Sequence, residues 1–308
     1  MADNADDGLR HVAFLYRDQA EYLAQVLGFA RAGLARGEPL FIAVPGDTVR
    51  LLERHLAEDL GEIVFRDMTS MGRNPARIIP AVRAFADKHA GQRFRFVGEP
   101  IWPERSAEEV CEAVRHEALI NLAFARTAAT ILCPYDVTRL GPAALTGARR
   151  THHELLAHGR PAAAAGHDEA WEVPPECDRP LPPPPASAEV LGYDTDLAPV
   201  RRLVASYAGR TGLAADRASD LVLAASEVAA NTLGHTKSAG LLHVWHDQDE
   251  VVCQAHDQGF IADPLAGRVR HSPESSGHGL FLVNQVCDLV ELRTGETGTT
   301  VRMHMRLS

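Results

Sequence analysis

The stretch SEVAANTLGHTKS, residues 226–238, decides the reading of the C-terminal half. Glu227, Asn231 and His235 recur every four residues, so they share one face of a helix. The residues around them are Ala, Val and Leu, which read as core. An acid, an amide and an imidazole in series on a helix built for burial point to a polar site, not to packing alone. Asp216 is placed to cap the start of this helix and Gly234 to end it. A second helix, APVRRLVASYAGRTG, precedes it. The segments GLLHVWHDQ and DEVVCQAHD then read as a hairpin turning near Asp247 to Glu250. GLFLVNQVCD (279–288) reads as a helix, and LVELRTG and TTVRMHMR as closing strands. The expected architecture is an α+β sandwich with helices on one face of a mixed sheet.

Other polar and glycine-rich segments accompany the helix. HDQGF (256–260) sets Asp257 at a strand end with Gly259 just after. SSGHGLFLVNQ (275–285) sets Gly277 and Gly279 at a helix start, where backbone N–H groups and the helix dipole favour an anion. TGTTV (297–301) lies on the last strand.

This ordered set resembles the GHKL family of ATP-binding domains, which includes DNA gyrase and the histidine kinases. The order is Glu227-x-x-x-Asn231-x-x-x-His235, Asp257-x-Gly259, Gly277-x-Gly279, Thr299-Thr300. Each piece is weak alone; the ordered set is specific, and the resemblance covers most of 189–308. DQGFIADPLAGR and GLFLVNQVCDLVEL are most similar to the small anti-sigma factors that are also serine kinases. The resemblance implies ATP and Mg²⁺ as cofactors. It implies Glu227 as general base on the attacking hydroxyl and Asn231 as the amide ligand of Mg²⁺. Asp257 would accept a hydrogen bond from the adenine amino group, with Thr300 or Thr299 nearby. Gly277, His278, Gly279 and Leu280 would form the nucleotide-binding turn, and His235 would be structural at the helix end. The sequence departs from the family at Ile261, which stands where the D-x-G-x-G motif has its second glycine. A β-branched residue cannot readily take the positive φ that Gly allows. The lid is also expected to be short, sixteen residues counted from 260 through 275. Both features predict weak or partner-dependent nucleotide binding.

The N-terminal half alternates strand and helix signals. HVAFLY (11–16), LFIAV (40–44), IVF (63–65), FRFVG (94–98) and TILCPYD (130–136) read as strands. Helical stretches lie between them, one opened by a capping box, Ser106 with Glu109. This alternation predicts a parallel sheet with helices on both faces, whose ligands would lie beyond the carboxyl ends of the strands. Pro45-Gly46-Asp47-Thr48 occupies such a place but lacks the Lys of a phosphate loop. It reads as a plain turn capped by Thr48 or Asp47. VGEPIWPE (97–104) and LCPYD (132–136) also follow strands. Either they contribute to a ligand site, or Pro100 and Pro134 shape turns while Trp102 and Tyr135 pack. AFLYRDQAEYL, GRNPARIIP (72–80), GEPIW (98–102), HEALINLAF (116–124) and LCPYD resemble the MEDS sensory domain, a family with a RecA-like sheet found in microbial regulators. That resemblance implies sensing of a small molecule.

The expected organisation is a MEDS-like domain at 8–158, a Pro-rich linker at 159–188 carrying Pro182–Pro185, and the ATP-binding domain at 189–308. Net charge is -10, which argues against direct nucleic-acid binding. The acidic start MADNADDGLR is not a secretory signal, and no apolar run is long enough to span a bilayer. Five cysteines, none in a C-x-x-C pair, suggest reduced thiols and a cytoplasmic protein. The fifteen histidines lack spacings such as H-E-x-x-H and read mostly as core or surface fillers.

The leading functional expectation is an anti-sigma factor with protein-serine/threonine kinase activity toward a STAS-type antagonist, controlled by the sensory domain. Related kinases suggest a homodimer through the sheet edge. One alternative is a non-enzymatic, ligand-gated module that binds a sigma factor. Another is a sensor histidine kinase using His153-Glu154 in RRTHHELL.

Overall fold

The computed structural model describes residues 8–157, 160–162, 172–236, 238–269 and 278–307. The chain divides into two compact units, Met1–Cys177 and Asp178–Ser308. The division falls inside the Pro-rich stretch.

The first unit runs β1 (Leu9–Tyr16), α1 (Gln19–Leu34), β2 (Leu40–Val44), α2 (Gly46–His55), β3 (Ile63–Asp67), α3 (Met68–Met71), α4 (Ile78–Lys88), β4 (Phe94–Gly98), α5 (Ala107–Ala123), β5 (Ala129–Asp136), α6 (Pro142–Thr151), β6 (Glu154–Ala157) and β7 (Arg160–Ala162). Its sheet order is β3-β2-β4-β5-β1-β6-β7. The first six strands pair in parallel, and β7 adds antiparallel at the edge. This is the expected RecA-like sheet. Every residue of LFIAV in β2 is buried, as a central parallel strand requires. One sheet face packs Val12, Phe14 and Ile42 against Val26 of α1 and Leu52 of α2. The other stacks Phe41, Phe94 and Phe96 with Phe85 of α4 and Phe124 after α5. Complete burial of each such ring contributes about 1.5–3 kcal/mol. The capping box of α5 is formed: the Ser106 hydroxyl accepts from Glu109 N–H and the Glu109 carboxylate from Ser106 N–H.

Two local expectations are corrected here, and one reading of Tyr135, that it packs, is met. Neither Thr48 nor Asp47 caps α2; Pro45 stands at the cap, and Asp47 pairs with Arg50 inside the first turn. Pro134 shapes no turn, since it lies within β5. It sits past the end of the β4 pairing, which stops at Leu132, while its neighbours Cys133 and Tyr135 pair with β1. Tyr135 is fully buried, with its hydroxyl on Glu117 at 3.1 Å.

The second unit runs β8 (Glu189–Tyr193), α7 (Ala198–Thr211), α8 (Ala215–Asn231), β9 (Gly240–Asp247), β10 (Glu250–Asp257), α9 (His278–Val286), β11 (Leu289–Gly295) and β12 (Gly298–Arg306). Its sheet order is β11-β12-β10-β9-β8. All pairings are antiparallel, so the expectation of a mixed sheet is corrected. The hairpin turns as expected, through Gln248 at φ 48°. Val204, Leu221, Ala225, Val228, Cys253, Val283, Val301 and Met303 form the core between the helices and one face of the sheet. On the opposite face Arg302 donates to Gln254 and to the Pro182 carbonyl, and Arg293 to the Arg179 carbonyl at 3.1 Å. The segment 179–182 is therefore fastened to this sheet rather than free.

Two further expectations for α8 fail. Asp216 sits in the first turn while Ala214 holds the cap position. Gly234 does not stop the helix; Thr232–Thr236 continue it as a π-helical turn. Such turns are rare and occur frequently at functional sites; here the Thr236 hydroxyl donates to the Thr232 carbonyl at 2.8 Å.

Candidate nucleotide site

α8 presents its polar series toward the start of α9. Glu227 and Asn231 are half-buried, one turn apart. Gly279, in the first turn of α9, lies directly against them. A Cβ at Gly279 would stand 3.0 Å from Glu227 Oε2, and 3.2 and 3.3 Å from the two atoms of the Asn231 amide. The glycine therefore lets the first turn of α9 approach a carboxylate and an amide closely, and of these three residues only Asn231 also lines the adjoining cavity. The dipole of that helix end suits an anion.

A cavity of about 450 Å³ opens beside this junction, lined by Asn231, His235, Asp257, Gly259, Leu280 and Thr299 among others. Its volume falls within the usual range for small-molecule sites. Asp257 is held firmly at its wall. Asp257 Oδ1 accepts from Gly259 N–H at 2.7 Å, and Oδ2 from the Thr232 hydroxyl at 2.6 Å. The one hydroxyl proton of Thr232 is thereby committed, so Tyr193 donates to Thr232 Oγ1, at 3.0 Å. Burial pushes the Tyr193 phenol above its usual value, and the nearby Asp257 charge adds to the rise. Tyr193, Thr232 and Asp257 thus form a hydrogen-bonded relay that orients the carboxylate and leaves it able to accept once more from a ligand.

Gly259 is required by close approach: a Cβ there would strike Thr236 Cγ2 at 2.4 Å and Asp257 Oδ1 at 2.8 Å. Thr299 lies opposite Asp257 in the register of β10 and β12, and its hydroxyl donates to the Gly259 carbonyl at 2.9 Å. Thr300 is not among the residues lining the cavity. Strand alternation turns it to the other face of the sheet, where it meets His256 Nδ1 at 3.0 Å. His235 lines the cavity instead of acting only at the helix end. His278 begins α9 and is half-buried, while Gly277 lies outside the described residues.

Ile261 is not held in the strained conformation expected of the motif's second glycine. Among the described non-glycine residues only Gln248 has positive φ. Ile261 takes an ordinary backbone, donates its N–H to Thr294 Oγ1 at 3.0 Å and lines the cavity. The left-handed position falls at Gly267, with φ 72°. Its absent Cβ would crowd Leu280 and the Asn284 amide, and Asn284 donates to its carbonyl at 3.0 Å. Sequence reasoning missed Gly267, Thr232 and Thr236. The first was legible as a glycine ending the turn of DPLAGR; the threonines carried no signal without the fold.

The first unit has its own cavity, of about 620 Å³, beyond the carboxyl ends of its strands. It brings together the 45–48 turn, Glu99, Trp102 and Asp136. The Tyr16 and Tyr22 hydroxyls approach Glu99 at 3.4 and 3.5 Å. Burial pushes the Glu99 carboxyl up to about 8, against the lowering effect of those hydroxyls. Trp102 lies over the Arg105 guanidinium at 3.7 Å, and Arg105 is fixed by the Pro100 carbonyl at 2.6 Å. A Cβ on Gly46 would come within 2.7 Å of Asp67 Oδ2, so the start of α2 faces a carboxylate and is unsuited to phosphate.

Among the described residues no helix is long and apolar enough to cross a membrane. No curated protein matches the chain. Residues 193–305 match the family model of the histidine kinase-like ATPase domain, which implies ATP binding. Residues 10–153 match that of MEDS, the methanogen/methylotroph DcmR sensory domain. The chain therefore joins a MEDS sensory domain to a histidine kinase-like ATPase domain.

Proposed function

We propose that this protein is an anti-sigma regulatory factor that phosphorylates a STAS-type antagonist on serine, under the control of its sensory domain. The observation that carries the reading is the close approach at Gly279, where Glu227 and Asn231 meet the start of α9. Asn231 would hold Mg²⁺ through its amide oxygen, and Asp257 and Thr299 would bind the base. ATP supplies the transferable phosphoryl group when bound. Glu227 then takes the proton of the attacking serine hydroxyl, and the N–H groups at the start of α9 hold the phosphates. Most of the remaining rate comes from positioning and charge neutralisation. A sigma-factor partner would place the protein in the cytoplasm, and dimerisation would use an edge of the five-stranded sheet.

The sensory ligand is proposed for the N-terminal cavity. With Glu99 largely protonated near neutral pH, that cavity offers a hydrogen-bond donor beside aromatic walls. It fits a small molecule with an acceptor group.

The histidine kinase alternative lacks support at His153. Glu154 begins strand β6, which pairs with β1, and its carboxylate is held by Arg10 at 2.9 and 3.0 Å. This is an ion-paired strand, not a phospho-accepting helix. The test is phosphoryl transfer from labelled ATP to a STAS protein, using Glu227→Gln. Nucleotide binding should persist while transfer disappears. Unchanged transfer would refute the base. Partner binding that ignores ATP and survives Asn231→Ala would favour the non-enzymatic module.

A further inference from the structure

The first unit encloses a second chemical cluster, remote from its cavity. His11 of β1, Glu117 of α5, Cys133 of β5 and His152 after α6 bring one donor atom each within 4.8 Å of one another. All four are buried, the two histidines at 0 % exposure. The sheet register sets Cys133 opposite Ala13, two residues from His11 on the same face. α5 and the end of α6 close over that face.

Hydrogen bonds around the cluster fix how each ring presents itself. His152 Nδ1 lies 2.8 Å from the Ala148 carbonyl, which can only accept. Nδ1 therefore carries the hydrogen and Nε2 a lone pair. Asn121 donates its amide N–H groups to the Thr151 carbonyl at 2.7 Å and the Glu117 carbonyl at 3.3 Å. Its Oδ1 is thereby turned to His11 Nδ1, at 2.8 Å, so Nδ1 carries a hydrogen and Nε2 is the atom directed inward. That atom faces Glu117 Oε2 at 2.9 Å and Cys133 Sγ at 3.4 Å. His152 Nε2 makes no hydrogen bond although fully buried, and lies 3.5 Å from the same carboxylate oxygen. Two imidazole nitrogens, a carboxylate oxygen and a thiol sulfur thus converge on one point. A buried polar atom without a partner costs about 1–3 kcal/mol. Convergent acceptors of this kind are what a cation satisfies.

We infer that His11, Glu117, Cys133 and His152 form a closed structural site for one divalent transition-metal ion, of which zinc fits the donor set best. Zinc takes four ligands of N, S and carboxylate O type in closed tetrahedral sites. With bonds of about 2.0–2.3 Å, such a shell separates its donor atoms by about 3.3–3.8 Å. Three of the separations among these atoms, 3.4, 3.5 and 3.6 Å, fall in that range, and His11 Nε2 and Glu117 Oε2, at 2.9 Å, lie closer. Binding releases the Cys133 thiol proton to solvent. The thiolate and the Glu117 carboxylate then balance the two positive charges, and both imidazoles stay neutral. The outer contacts are those of a built metal site: each histidine gives its second N–H to an oxygen, and Tyr135 donates to Glu117 Oε1 at 3.1 Å. The ion would tie α5 and the end of α6 to the central strands β1 and β5.

The test is metal analysis of the full chain, followed by removal with a chelator and refilling with Co²⁺. The purified chain should carry about one zinc per molecule, as a closed site of this type holds. Co²⁺ should give visible absorption with a thiolate charge-transfer band. That band should vanish in Cys133→Ser, shift in His152→Gln, and stay unchanged in Cys253→Ser, whose thiol lies in the other unit. Chelation should lower the melting temperature of the wild-type chain. A folded wild-type chain that carries no metal and takes up no Co²⁺ would overturn the inference, leaving a buried imidazolium–carboxylate pair. So would a Co²⁺ spectrum indifferent to both cluster substitutions. The wild-type spectrum decides the matter even if a variant fails to fold.

Discussion

Gly279→Ala should move stability and nucleotide affinity in opposite directions. Gly279 lies in the first turn of α9, at no positive φ. Replacing a helical Gly by Ala favours the helix by about 0.5–1 kcal/mol. The new methyl carbon would stand 3.0 Å from Glu227 Oε2 and 3.2–3.3 Å from the Asn231 amide. These contacts are tight but fall on side-chain ends that can yield by a few tenths of an ångström. The fold should therefore survive, with unchanged or slightly raised stability. The close approach at the glycine is crowded, however, and the Asn231 amide is displaced. Displacing groups that position a metal typically costs about 10–100-fold in affinity, or about 1.4–2.7 kcal/mol. Thermal unfolding without nucleotide and calorimetric titration of Mg-ATP read the two effects separately. Wild-type affinity in Gly279→Ala would refute the argument that this junction receives the nucleotide's phosphates and metal.

Other perturbations follow the same reasoning. Thr232→Val would leave Asp257 Oδ2 and the Tyr193 hydroxyl without their shared partner. A cost of about 1–3 kcal/mol in urea denaturation is expected, along with weaker adenine-nucleotide binding; unchanged affinity would mean the relay does not orient Asp257. His304 predicts a pH dependence of stability. Burial alone would lower its pKa, but Glu250 at 2.7 Å and Glu291 at 3.1 Å outweigh burial and raise it to about 9. Because the folded value lies above the unfolded one, the stabilisation is complete below about pH 6.5 and is lost as pH rises toward 9. Its size is on the order of 3 kcal/mol. Urea denaturation from pH 6 to pH 10 should show the loss, and His304→Gln should flatten it.

Much of this molecule was legible before the fold, for physical reasons. Continuous apolar runs such as LFIAV mark buried parallel strands, and the Ser106–Glu109 box marked a helix start. The four-residue spacing of Glu227 and Asn231 put both on the face that meets α9. What escaped the sequence depended on distant partners. Strand β8 is only half-buried and follows a proline run, so neither periodicity nor composition announced it. Thr232 looked like a residue near a helix stop, yet its hydroxyl fixes Asp257 across the π-helical turn. The departure at Ile261 looked damaging because the positive φ was assigned to the motif position, whereas the backbone spends it at Gly267. His11, Glu117, Cys133 and His152 come from four separate segments. No local spacing could connect them, and the two histidines read as fillers.

The central claim is that the C-terminal unit holds a working nucleotide site on Asn231 and Asp257. Calorimetric titration of Mg-ATP into the full chain, beside Asn231→Ala, tests it most directly. The account predicts saturable one-site binding to the wild-type chain, lost in the variant while its melting temperature stays within a few degrees. Equal binding by both chains, or none by a folded wild-type chain, would contradict it.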